Sequence, residues 1–311
     1  MKKKIPLIVI AGPTGIGKSS LAMSLAQDLS TDIISADSRQ IYRDFDIGTA
    51  KPDNHEQSLV KHHLIDIADP KENFTLAEYT EKAKEVIDLI YNQNKIPMLV
   101  GGTGLYIKTL IEGFNVPEVG PNPELRKNLT NIASTSDGAK SLYEKALSID
   151  PQAMLKIHQN DLIRVIRVIE VFETTGKQFS SLVKKESEPV YNLIYVGLDL
   201  EREKLYQRIA LRVDKMIELG LIDEVKNIIN KYGNDLPLLK TINYREIKEY
   251  LENKLTLDET KELMKKNTRN FAKRQLTWFR HDPYINFFKS EDQNDIQIVR
   301  EHVLKQVSEK F

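Results

Sequence analysis

The chain has 311 residues, 41% of them apolar, enough for one large or two modest domains with a proper core. Its 45 Lys and Arg balance 45 Asp and Glu, so a nucleic-acid partner must be met by a local basic patch and not by a global field. There is no cysteine, which excludes disulfides, zinc–thiolate sites and thiol nucleophiles.

The start, Met1-Lys2-Lys3-Lys4, has the charge of a leader peptide. The apolar run after it, residues 5–11, is short and contains Pro6, so it reads as a buried parallel strand of the core. No stretch approaches the length of a membrane span, and the expectation is a soluble, cytoplasmic protein. Next comes Gly12-Pro13-Thr14-Gly15-Ile16-Gly17-Lys18-Ser19, which matches G-x-x-x-x-G-K-[ST]. A helix-forming run, 20–29, follows it, so the motif stands in the strand–loop–helix context it needs. Its glycines allow a tight turn whose N–H groups point at phosphate oxygens. The helix N-terminus adds partial positive charge. Lys18 would reach a phosphate, and the Ser19 hydroxyl would ligate Mg²⁺. The bland alternative, a turn opening an ordinary helix, fits these flanks poorly.

Residues 32–36 read as a second strand, ending at Asp37-Ser38-Arg39-Gln40. A carboxylate at a strand end beside a phosphate loop suits metal or base chemistry. Alone, it would read as a turn or helix-capping Asp. Residues 62–67 form a possible third strand. His62 and His63, being adjacent, would point to opposite faces of it, a structural arrangement and not a metal pair. Thr75-Leu76-Ala77-Glu78 is a capping box opening a helix to about residue 91. Residues 96–100 read as another buried strand, running into Gly101-Gly102-Thr103-Gly104-Leu105-Tyr106 and a helix to about 111. The Thr103 hydroxyl can serve a phosphate or cap the helix. This alternation predicts an α/β fold, a P-loop NTPase-like parallel sheet, with its ligand at the carboxyl ends of the strands.

Three prolines and a glycine within residues 116–123 predict a boundary. Beyond it, short helices without a good strand predict an all-helical insertion, residues 122–190. One of its helices carries Leu162, Val165, Ile166, Ile169 and Phe172 on one face and ends near Gly176. Residues 193–200 read as a strand returning to the sheet, followed by a long helix from about Glu201. The remainder reads as helical to the end, so the core is assigned residues 1–121 and 191–311. Arg208 and Arg212 share a face of that long helix, where two guanidiniums could clamp a diphosphate or simply meet solvent. Arg126, Arg164 and Arg167 raise the same question in the insertion. Residues 265–281 contain no acid. At helical spacing, Lys266, Arg269, Lys273 and Arg280 form one arc, and Met264, Phe271, Trp278 and Phe279 lie opposite, as on a helix packed on one face and cationic on the other.

No N-K-x-D motif of a GTPase is present, nor the acidic-ended apolar strand of an ATPase motor. From the residues alone, a nucleoside or nucleotide kinase stays open, with Asp37 on the acceptor hydroxyl and Arg208 and Arg212 as a lid.

The chain resembles the bacterial tRNA dimethylallyltransferases. The stretches that carry the likeness are residues 12–19, Asp37-Ser38-Arg39-Gln40-Ile41-Tyr42, Asp46-Ile47-Gly48-Thr49-Ala50-Lys51-Pro52 and residues 101–106. Arg164 to Arg167, Asn243-Tyr244-Arg245-Glu246 and Ala272-Lys273-Arg274-Gln275-Leu276-Thr277-Trp278 continue it, in order over nearly the whole length. The resemblance implies that the loop holds the diphosphate of dimethylallyl diphosphate, through residues 12–19, Arg208 and Arg212. It implies Lys18, Asp37, Thr103 and Arg212 as catalytic groups, Asp37 as the base, and Mg²⁺ on Ser19. It implies tRNA as partner, its anticodon stem-loop held by Asp37, Ser38, Arg39, Gln40, Thr103, Arg126, Arg164, Arg167, Tyr244, Arg245, Lys273, Arg274 and Gln275. A monomer is expected. Two positions depart from the family pattern: Arg39 stands where relatives carry Met or a small residue, and Asn243 where they carry Gly.

Overall fold

The structure, a computed structural model, describes residues 4–114, 119–183, 186 and 188–310. The expected boundary therefore lies partly outside the described residues, at 116–118. In chain order the elements are β1 (Pro6–Ala11), α1 (Lys18–Asp28), β2 (Ile33–Ala36), α2 (Asn54–Leu59), β3 (His62–His63), α3 (Leu76–Asn92), β4 (Met98–Gly101) and α4 (Gly104–Ile111). Then come α5 (Pro123–Ala133), α6 (Gly138–Ile149), α7 (Pro151–Met154), α8 (Leu162–Thr175) and α9 (Phe179–Leu182). The chain closes with β5 (Asn192–Asp199), α10 (Arg202–Glu218), α11 (Leu221–Tyr232), a 3₁₀ turn (Pro237–Lys240), α12 (Tyr244–Leu251), α13 (Leu257–Arg280), β6 (Asn286–Lys289) and α14 (Gln293–Lys310).

The strands form one parallel sheet in the order β3-β2-β4-β1-β5-β6. β1 lies between β4 and β5, so both its edges and both its faces are covered. That is why Leu7 to Ala11 are apolar without alternation and fully buried. Register sets Ala11 and Ala36 opposite Gly101, and Ala11 opposite Gly197. The loops after β1, β2 and β4 therefore leave the sheet at one level, its carboxyl edge, where an open α/β sheet holds its ligand.

Two strand expectations change. β3 stops after His63, because Leu64 and Asp66 have positive φ (62° and 56°) that ends the extended run. The C-terminal part is not helical throughout, since β6 pairs in parallel with β5, Val196 opposite Asn286. Four residues with both phenylalanines adjacent carry no period that a sequence could show.

The chain divides into two compact units. One comprises residues 1–74, 79–110 and 189–311, and the other 75–78 and 111–188. In the second, α5 to α9 bury Leu129, Leu142, Ala146, Met154, Val165 and Ile169 together. At its centre Glu170 is fully buried and accepts from Arg126 Nε (2.7 Å) and Nη2 (2.8 Å), from Arg167 Nη1 (2.5 Å) and from the Asn122 N–H (2.7 Å). Burial pushes its carboxyl upward, but these hydrogen bonds outweigh burial and hold it below the usual range.

Candidate active site

The three carboxyl-edge loops open into one cavity of about 460 Å³. Thr14, Lys18 and Ser19 line it from the phosphate loop, Asp37 to Gln40 from the β2 loop, and Thr103 from the β4 loop. α10 contributes Arg212, and α13 contributes Phe271, Arg274 and Gln275.

The phosphate loop owes its path to glycine. Gly15 and Gly17 have φ of 81° and 105°, a left-handed backbone that side chains rarely adopt, and Gly17 caps α1. α1 thus starts at Lys18, and its first turn leaves N–H groups without partners inside the helix. The Lys18 ammonium folds back to donate to the Pro13 carbonyl at 2.8 Å. Its pKa is pushed down to about 7, mainly by burial and further by the Arg212 charge, with Asp37 opposing both. A cation so destabilised is one that an incoming polyphosphate would stabilise. Ser19 is exposed at the mouth.

Asp37 is fixed by its own turn: Oδ1 accepts from the N–H groups of Arg39 (2.8 Å) and Gln40 (3.4 Å). Thr103 Oγ1 accepts from the Ser38 N–H at 3.1 Å, and the Thr103 N–H donates to the Ala36 carbonyl at 3.1 Å. The carboxylate and the hydroxyl are thus held as one unit beside Lys18.

The two arginines of α10 separate. Arg212 enters the cavity, in electrostatic contact with Lys18 and Asp37. Arg208 turns away, donating to the carbonyls of Ile16 (3.1 Å), Ser290 (3.0 Å) and Glu291 (2.9 Å). Its guanidinium braces the back of the phosphate loop, a use of the residue that helix spacing could not separate from phosphate binding.

The loop of residues 46–52 forms another wall, built around two buried charges. Lys51 donates to Asp46 (2.6 Å), Asp66 (2.5 Å) and the Tyr42 carbonyl (2.8 Å). Glu224 of α11 accepts from the N–H groups of Ile47 (2.7 Å) and Gly48 (3.2 Å) and from the Tyr244 hydroxyl (2.7 Å). Nothing local marks Glu224 in the sequence, since it is one acid on an amphipathic helix.

Several residues expected to touch RNA have other work. Tyr244 is 1% exposed, tilted against Phe45 with its ring centroid 4.7 Å away, so it holds the 46–52 loop and presents no face to solvent. Gln275 is 8% exposed, and both ends of its amide are occupied inside the protein: Oε1 accepts from the Thr14 N–H (2.9 Å) and Nε2 donates to the Gly102 carbonyl (2.8 Å). Gln40 likewise donates to the Ala50 carbonyl (3.1 Å) and accepts from Ser35 (3.0 Å). Arg245 pairs with Glu246 at 2.8 Å, and Arg164 with Asp161 at 3.4 Å. Arg126 and Arg167 are the partners of Glu170 already described. Asn243 takes the place of glycine with φ 75°, a backbone that side chains rarely adopt, and its amide donates to the Gly48 carbonyl at 2.8 Å, so the departure ties this turn to the 46–52 loop. Arg39, Lys273 and Arg274 are exposed. On α13, Met264 and Phe279 are buried as expected. Phe271 and Trp278 are 37% and 38% exposed, because the buried stripe runs instead through Thr268, Ala272 and Gln275. The histidines are structural: His63 Nε2 meets Asp32 at 2.9 Å and His62 Nδ1 meets the Val60 carbonyl at 2.8 Å.

A glycine-rich loop at the carboxyl edge of a parallel sheet, with a carboxylate lining the same cavity, defines an α/β protein of the P-loop-like class. The IPP transferase family model matches residues 40–282, a stretch that begins after the phosphate loop and Asp37. A tRNA dimethylallyltransferase of Gloeothece citriformis is 51% identical, over 92% of this chain and 91% of its own length. One from Halothermothrix orenii is 49% identical, over 91% and 87%. Among solved structures, the tRNA isopentenylpyrophosphate transferase of Bacillus halodurans superposes with a TM-score of 0.73 at 39% identity, covering 99% of this chain and 98% of that one. A eukaryotic dimethylallyltransferase acting on tRNA gives 0.80 at 28%, covering 99% and 80%. The chain belongs to the tRNA dimethylallyltransferase family. The nucleotide-kinase reading gains no support from these comparisons.

Proposed function

We propose that the chain transfers the dimethylallyl group of dimethylallyl diphosphate to the exocyclic amine of the adenosine 3′ of the anticodon in tRNA, releasing diphosphate. The observation that carries this reading is the single cavity shared by the phosphate loop, Arg212, Asp37 and Thr103, in a chain of this family. The donor's diphosphate lies on the N–H groups of residues 15–19, with Lys18 and Arg212 beside it. As the carbon–oxygen bond breaks, negative charge grows on the leaving oxygens and allylic cation character on carbon. Preset amides and two cations stabilise the former without reorganising. The adenine amine is a poor nucleophile, its lone pair shared with the ring. It forms the new carbon–nitrogen bond while Asp37 orients it and takes its proton. Thr103 keeps Asp37 in place through the Ser38 N–H.

The donor set suits Mg²⁺, which keeps several waters and binds through few protein oxygens plus substrate phosphates. Ser19 would hold it with those phosphates, and its charge would help neutralise the leaving group. The target base must leave its loop stack to reach the cavity. The exposed cations of α13, Lys273 and Arg274, with Arg39 at the rim, suit the RNA backbone near it. Among the described residues no helix is long and apolar enough to cross a membrane. The protein works as a monomer in the cytoplasm, where tRNA is found.

Labelled dimethylallyl diphosphate incubated with an anticodon stem-loop tests this. Label should pass to the RNA without ATP, and Asp37→Ala should abolish transfer while stem-loop binding persists. ATP-dependent phosphorylation of a small molecule with no prenyl transfer would sink the reading.

A further inference from the structure

We infer that Gln275 is the positioning residue that sets the donor half of the site against the acceptor half. The inference rests on the function proposed above. Its amide spans the gap between two loops that are far apart in sequence. One end receives the N–H of Thr14, in the phosphate loop, and the other donates to the carbonyl of Gly102, one residue before Thr103. A carboxylate has no donor for the carbonyl and an ammonium no acceptor for the amide, so the junction asks for a primary amide. Gly102 fits the same contact: a Cβ there would stand 2.3 Å from Gln275 Nε2, so only glycine lets the side chain come this close.

The contact continues on both sides. From Gly102 the chain passes to Thr103, whose N–H binds Ala36 and whose hydroxyl receives the Ser38 N–H; Asp37 stands between those two partners. From Thr14 it passes along the loop to Lys18. Gln275 is thus the side-chain link in a continuous path from the diphosphate cradle to the carboxylate. Its own position is firm, because Thr268, Ala272 and Phe279 bury the same face of α13. The reaction joins a carbon held through the first loop to a nitrogen held through the second. A misplacement of about 1 Å between them costs on the order of 10²-fold in rate.

Two variants test this: Gln275→Met, of similar length with neither polar end, and Gln275→Glu, which keeps the acceptor and loses the donor. Single-turnover prenyl transfer at saturating substrates, the KM of each substrate, affinity for inorganic diphosphate and thermal melting are measured against wild type. We expect kcat to fall on the order of 10²-fold in Gln275→Met, with both KM values within about threefold. Gln275→Glu, should the other variant fail to fold, carries a further readout. Its rate relative to wild type should rise as pH falls and the carboxyl gains the missing proton, which a packing role would not produce. A rate within about threefold of wild type in folded variants, or a raised KM with kcat kept, overturns the inference. A wild type that transfers no prenyl group instead overturns the proposed function, and this role with it.

Discussion

Lys18 gives the most direct test of the electrostatics, through proton uptake on ligand binding. In the free protein its pKa is pushed down to about 7, chiefly by burial, so near neutral pH the group is about half charged. A diphosphate on the loop favours the ammonium and restores the charge. The bound state therefore has the higher pKa. Donor affinity is fully present below about pH 7 and is lost as pH rises above it, by roughly fivefold between pH 7 and 8 if only the ammonium binds. At about pH 7.5, close to 0.8 proton should be taken up per diphosphate bound, before the ligand's own ionisation is counted. Calorimetry with inorganic diphosphate in two buffers of different ionisation enthalpy measures the total. The same titration on Lys18→Met subtracts the ligand's share. Equal proton counts for the two proteins would mean that Lys18 does not titrate on binding. Arg212 adds to the depression, so Arg212→Met should raise the Lys18 pKa and shrink the uptake.

Tyr244→Phe removes one of the three donors to Glu224, whose carboxyl burial already raises. A lost hydrogen bond to a charged group costs about 1.5–3 kcal/mol, which for a protein this large lowers Tm by roughly 2–5 °C. An unchanged melting curve would deny Glu224 its place as anchor of the 46–52 loop. Lys273→Ala and Arg274→Ala should each weaken stem-loop binding and flatten its dependence on salt by about one charge, with diphosphate affinity untouched. A salt slope equal to that of the wild type would move the RNA contact elsewhere.

Features under the control of local rules were legible in the sequence. The glycine spacing and Lys18-Ser19 define a phosphate loop wherever a strand precedes and a helix follows, because the chemistry lies in consecutive backbone N–H groups. Unbroken apolar runs marked the buried strands, and family motifs spread along the chain marked the reaction. What it left open was decided by side chains meeting across long separations. Arg208 and Arg212 are equivalent on a helical wheel, and only the carbonyls of Ile16, Ser290 and Glu291 draw one of them out of the site. Tyr244 and Gln275 look like RNA contacts in a motif list, yet burial gives each a partner inside the protein: Glu224 for one, Thr14 and Gly102 for the other. The physical reason is the same each time. A polar side chain takes the partner that burial makes costly to leave unmet, and that partner is set by packing between elements and not by neighbours in sequence.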